Sequence, residues 1–169
     1  MSSAVAQTNT QKTARKTEPL VGMGQTTVVT KPETTRAVLG SCVGLVLYHK
    51  RLGIGGLAHV VLPASEGRDG LPGKFADTAL PHMLQSLAKL QAHSSGLVAK
   101  LTGGANMFGG NGPIQIGDSN AAALRAALNE LKIPIVAEHL GGSKGRRVTL
   151  DAATGEVEIE IAGEETTTI

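Results

Sequence analysis

A chain of 169 residues with 41% hydrophobic and 18% charged residues has the size and make-up of one soluble globular domain, long enough to bury a real core. Sixteen basic against fourteen acidic residues leave a net charge of +2, and only three aromatic residues are present, Tyr48, Phe75 and Phe108. With no basic stripe and almost no rings to stack bases, nucleic-acid binding is not expected. No apolar run approaches the roughly 20 residues of a membrane-spanning helix, so membrane insertion is not expected either.

Residues 1–18 are rich in Ser, Thr, Gln and Lys and read as a disordered tail without the apolar centre of a secretory signal. A single domain is expected over 19–162, with 163–169 as a C-terminal tail. Leu20 to Thr30 reads as a strand, Lys31-Pro32 breaks it, and Arg36 to Leu39 follows as a short strand. Val43 to His49 and Ile54 to Leu62 are β-rich apolar runs joined by a turn at Lys50 to Gly53. Phe75 to His93 has helical apolar spacing, and Pro81 places the expected helix start near Thr78. A strand at Leu97 to Leu101 enters a glycine-rich loop from Gly103. Ser119 to Lys132 reads as a second helix capped by Asp118, and strands follow at Ile133 to Glu138, Arg147 to Leu150 and Val157 to Ile161. Two helices among about eight strands indicate an α/β or α+β sandwich rather than repeated βαβ units.

Cys42 is the only cysteine, so it forms no internal disulfide and is either a packed core residue or a nucleophile. A free thiol fits a reducing, cytoplasmic setting. If His49 faces Ile54 across the turn, paired positions sum to 103: Gly44 opposes His59 and Cys42 opposes Val61. Cys42 and His59 then lie on one face as diagonal neighbours, about 7–8 Å apart at the backbone and within side-chain reach. An imidazole that accepts the thiol proton turns a poor nucleophile into a good one. Gly40 and Ser41 allow a tight approach before the cysteine, where N–H groups can meet an oxyanion. A buried thiol beside a small-residue turn and a satisfied core histidine remain the competing reading.

Other features point less far. Gly103 to Gly112 lacks the Lys-Ser/Thr ending of a nucleotide-binding loop, so it reads as a packing or substrate-channel loop. Lys144, Arg146 and Arg147 form a basic loop suited to solvent or to acidic helices. His49, His59, His82, His93 and His139 show no metal-ligand spacing, and neither a metal nor another cofactor is expected.

The run Leu39-Gly40-Ser41-Cys42-Val43-Gly44 with Gly55-Gly56-Leu57-Ala58-His59-Val60-Val61-Leu62-Pro63 resembles the signature of the CheD family, the chemoreceptor glutamine deamidases. Lys74 to Ala79, Gly103 to Phe108 and Gly141-Gly142 with Gly145 to Val148 resemble further family segments, so the likeness spans about residues 20–162. The resemblance implies two packed mixed β-layers covered by helices, similar to the catalytic domains of deamidating toxins. It also implies hydrolysis of receptor glutamine amides to glutamate through a thioester, with release of ammonia. Cys42 would be nucleophile, His59 base and acid, and Gly40 and Ser41 the oxyanion loop.

The family carries a threonine five or six residues before the cysteine, where this chain has Ala37 and Arg36; either Thr35, close by, takes that third role, or the role is empty or filled by another group. Ile116 to Asn120 also departs from the family's Gly-Ala-Arg-Asn. The implied partners are chemoreceptor cytoplasmic helices and a CheC-type phosphatase, for a monomeric protein. A non-catalytic adaptor binding receptors or that phosphatase is the alternative, and thiol proteolysis or acyl transfer would share the chemistry.

Overall fold

The computed structural model describes residues 18–109 and 115–169; the N-terminal tail and part of the glycine-rich loop lie outside the described residues. Two β-sheets stack, with two helices on the outer face of one of them. The first sheet has the order β1 (Thr26–Thr30), β4 (Ile54–Val60), β3 (Val43–His49), β5 (Leu97–Gly103), β6 (Ile135–Leu140) and is antiparallel except for β5 and β6. The second has the order β2 (Thr34–Leu39), β7 (Arg146–Asp151), β8 (Val157–Glu160), β9 (Thr167–Thr168) and is antiparallel throughout.

The strand patterns follow from this layering. β3 and β4 are buried at every position because the first sheet is covered on both faces, by helices on one and by the second sheet on the other. β2 instead alternates: Thr35, Ala37 and Leu39 are buried, and Val38 is exposed. Two apolar layers result. Val43, Leu45, Leu47, Ala58, Val60, Ala99 and Leu101 pack under the helices, whereas Val46, Leu57, Ala37, Leu39, Val148, Leu150 and Cys42 fill the space between the sheets.

α1 (Ala76–Ala88) starts two residues before the position read from Pro81, and the proline lies inside it. The start is pulled forward because the chain is tethered there. Phe75 bridges to Leu62 and the Ala76 N–H donates to the Leu62 carbonyl, which together outweigh one intrahelical bond lost at the proline. α2 (Ile116–Glu130) likewise begins ahead of Asp118, which stands in its first turn and favours the helix dipole instead of capping the backbone.

Leu20 to Thr30 is not one strand. The chain turns at Gly24, where φ is +77°, so β1 starts at Thr26 and Leu20 makes a separate parallel bridge to Arg36. Residues 163–169 include β9, which pairs with β8.

Candidate active site

The β3–β4 hairpin sets the site. Gly44 opposes His59 and His49 opposes Ile54, the register read from the length of the turn. Cys42 immediately precedes β3, two residues from Gly44, and alternation puts Cys42 and Val46 on the inter-sheet face with Leu57 and His59, which stand opposite Val46 and Gly44. The thiol and the imidazole are both buried, at 8% and 4% exposure, and no hydrogen bond joins them in this structure.

His59 is oriented by backbone. Its Nδ1 lies 3.0 Å from the Val21 carbonyl oxygen, an atom that can only accept, so Nδ1 carries the proton and Nε2 is left as the basic nitrogen of the neutral ring. The segment Pro19 to Val21 that supplies this carbonyl is a strap along the edge of β2: Arg36 N–H donates to Pro19 and Val21 N–H donates to Arg36. His59 is held at its backbone too, by its N–H to Gln25 and by Gly24 N–H to its carbonyl.

Thr35 is fully buried, and its hydroxyl donates to the Pro19 carbonyl at 2.9 Å. It therefore touches the strap, two residues from the atom that holds the imidazole, and is not hydrogen-bonded to the ring. Ala37 packs between the sheets with no polar group to offer, and Arg36 lies across from Thr149 on β7. Sequence reading missed Val21, because an orienting main-chain carbonyl leaves no side-chain signature.

Gly40 and Ser41 form the turn from β2 into Cys42. The Gly40 carbonyl accepts from Ala105 N–H at 2.9 Å and the Cys42 carbonyl from Gly104 N–H at 2.8 Å, which fixes the turn against the glycine-rich loop. Among the described residues, neither Ser41 N–H nor Cys42 N–H donates a hydrogen bond to the backbone outside the strands. Gly103, with φ of +100°, is required there: a Cβ on it would stand 2.4 Å from the Cys42 carbonyl oxygen. Met107 lies against Gly40 and is about half exposed, while its neighbour Phe108 is almost wholly exposed.

Burial pushes the Cys42 thiol above its ordinary pKa and pulls the His59 imidazole below its own, the Val21 hydrogen bond offsetting the latter in part. Both groups are thus neutral at pH 7. Among the described residues no cluster of His, Cys, Asp or Glu is arranged to hold a metal ion. No helix among them is long and apolar enough to cross a membrane.

A two-sheet, two-helix chain that buries one thiol and one backbone-oriented imidazole on a common internal face has the parts of a cysteine–histidine acyl-transfer protein. Comparison with known proteins narrows that class. The family model for CheD, described as CheD chemotactic sensory transduction, matches residues 61–161. A relative from Methanococcus maripaludis strain C5 is 40% identical over 146 residues, covering 85% of this chain and 95% of its own. One from Clostridium kluyveri is 44% identical over 130 residues, 74% of this chain and 80% of its own. Both carry the name "Probable chemoreceptor glutamine deamidase CheD". The chain belongs to the CheD family.

Proposed function

We propose that this protein hydrolyses glutamine side-chain amides to glutamate on the cytoplasmic helices of chemotaxis receptors, with Cys42 as nucleophile. The observation that carries the reading is the shared inter-sheet face of Cys42 and His59, with the imidazole turned by Val21 so that Nε2 is the free base. The names of the relatives supply the substrate class.

His59 Nε2 takes the Cys42 proton as the sulfur bonds to the carboxamide carbon, and the N–H groups of Ser41 and Cys42, which donate no backbone bond outside the strands among the described residues, meet the new oxyanion. The tetrahedral adduct collapses by breaking the carbon–nitrogen bond. The imidazolium returns the proton to that nitrogen, ammonia leaves, and a thioester remains. Water, deprotonated by the same imidazole, then opens the thioester to give glutamate and the free thiol. Thr35 acts behind this pair by pinning the strap that carries Val21.

The same reading places the protein in the cytoplasm, as a monomer, with a CheC-type phosphatase as a second partner. The alternative is an adaptor that binds receptors or that phosphatase without turnover.

The test is peptide mass spectrometry of a receptor cytoplasmic fragment incubated with the full chain. Conversion by the wild type, and its loss by a factor of about 10⁴ or more in Cys42→Ala, is expected. No conversion by the wild type would leave the adaptor role, and conversion by Cys42→Ala would remove the assigned nucleophile. Because burial lowers the His59 pKa, the acid limb of the kcat/KM profile should fall below the ordinary imidazole value of about 6.5.

A further inference from the structure

We infer that Arg146 is a positioning residue for the nucleophile, acting through two glycine turns that it gathers behind Cys42. The inference rests on the deamidase reading for its kinetic consequence, but its structural part stands on geometry alone.

Arg146 begins β7, opposite Leu39 at the end of β2, and is only 3% exposed. No carboxylate pairs with it among the described residues, and its Nε has no hydrogen-bond partner. A buried guanidinium without an ion pair is costly, and Glu164, the one carboxylate whose charge acts on it, stands beyond salt-bridge distance, so packing alone does not account for an arginine here.

What the guanidinium does is collect acceptors from one turn. Nη1 donates to His139 Nδ1 at 2.7 Å and to the His139 carbonyl at 2.9 Å, and Nη2 donates to the Gly141 carbonyl. Gly141 and Gly142 both have positive φ, +87° and +74°, which folds the turn back over the arginine.

That turn is stitched to the loop behind the nucleophile. Gly141 N–H donates to Gly103 at 3.0 Å, and Asn106 N–H donates to Gly142 at 2.8 Å. The Gly103–Asn106 loop in turn holds the carbonyls of Gly40 and Cys42 through Ala105 and Gly104. Three backbone segments are thus joined in series by pairs of hydrogen bonds, and the guanidinium is the side chain that anchors the outermost one. If it is removed, the Gly141 turn keeps its two backbone bonds to the Gly103–Asn106 loop but loses its side-chain anchor, and the position of Cys42 relative to His59 is held less firmly.

A displacement of about 1 Å at reacting groups lowers turnover by up to a hundredfold, with less effect on binding. Cys42 is the only thiol, so its rate of alkylation by iodoacetamide reports on the site without any substrate. The experiment compares full-length wild type, Arg146→Met, Arg146→Lys and Lys144→Ala. The last is a control in the same loop that contacts Ala162 and Glu164 instead of the gathered turn.

The expected result is a kcat lower by about ten- to a hundredfold in Arg146→Met with KM within about twofold. The Cys42 alkylation rate should change several-fold in the same variant. Arg146→Lys should recover part of both, and Lys144→Ala should keep the wild-type alkylation rate of Cys42. Wild-type kcat and alkylation in a folded Arg146→Met, or an effect on KM alone, would overturn the inference. Should Arg146→Met not fold, a folded Arg146→Lys with wild-type kcat and alkylation would overturn it equally. Absence of deamidation by the wild type itself would refute the deamidase reading, while the alkylation rates would still decide whether Arg146 positions Cys42.

Discussion

The two faces of the five-stranded sheet are built from the same strands by alternation, yet they do different work. The face under the helices is closed hydrocarbon at its centre: Leu45, Leu47, Ala58, Val60, Ala99 and Leu101 meet Leu80, Met83, Leu87, Leu124 and Leu128. The face toward the second sheet carries Cys42 and His59 at one end. On the same face further along, Lys100 donates its ammonium to the Gly155 and Ile169 carbonyls. One face is apolar throughout its centre, and the other also buries a thiol and an imidazole, where burial disfavours the charged form of each. A one-residue slip in β3 or β4 would exchange them.

Gly103→Ala should break this division most severely. The added carbon meets the Cys42 carbonyl at 2.4 Å and sits at a φ of +100°, so both stability and turnover fall. A loss of about 2–4 kcal/mol in chemical denaturation and at least a hundredfold in kcat is expected. An active, stable variant would show that the loop is free to move off Cys42.

Leu124→Ala tests the other face. It empties a fully buried site under the helices and should lower stability by about 2–5 kcal/mol. Turnover measured well below the melting transition should stay within about twofold of wild type. A large kcat effect would mean that the two layers are coupled.

Thr35→Val, the smallest change, removes the hydroxyl that holds Pro19 and should cost about 1 kcal/mol. Its sharper readout is pH. The Val21 carbonyl raises the His59 pKa by accepting from Nδ1–H, so a loosened strap lets that pKa fall further and moves the acid limb of kcat/KM to lower pH. A limb that moves to higher pH would contradict this arrangement.

The hairpin register was legible because two apolar runs flank a turn of fixed length, and turn length dictates which residues oppose. The common face of Cys42 and His59 followed from it. Element ends were less legible. α1 starts early because Leu62, distant in the pattern, supplies its first tether, and the strap at 19–21 separates from β1 because Gly24 must turn under Leu71 and Lys74. β9 is two residues long, too short to show a period. The hold on the His59 ring was unreadable for a different reason: it comes from a main-chain carbonyl.

That carbonyl has a consequence for how the site can drift. A side-chain orienter is lost in one mutation, whereas every amino acid at position 21 brings the same oxygen. The hold on the ring is stored in the path of the chain. Proline at 21 or 36, which would remove an N–H that pins the strap to β2, is the kind of substitution that could still erase it.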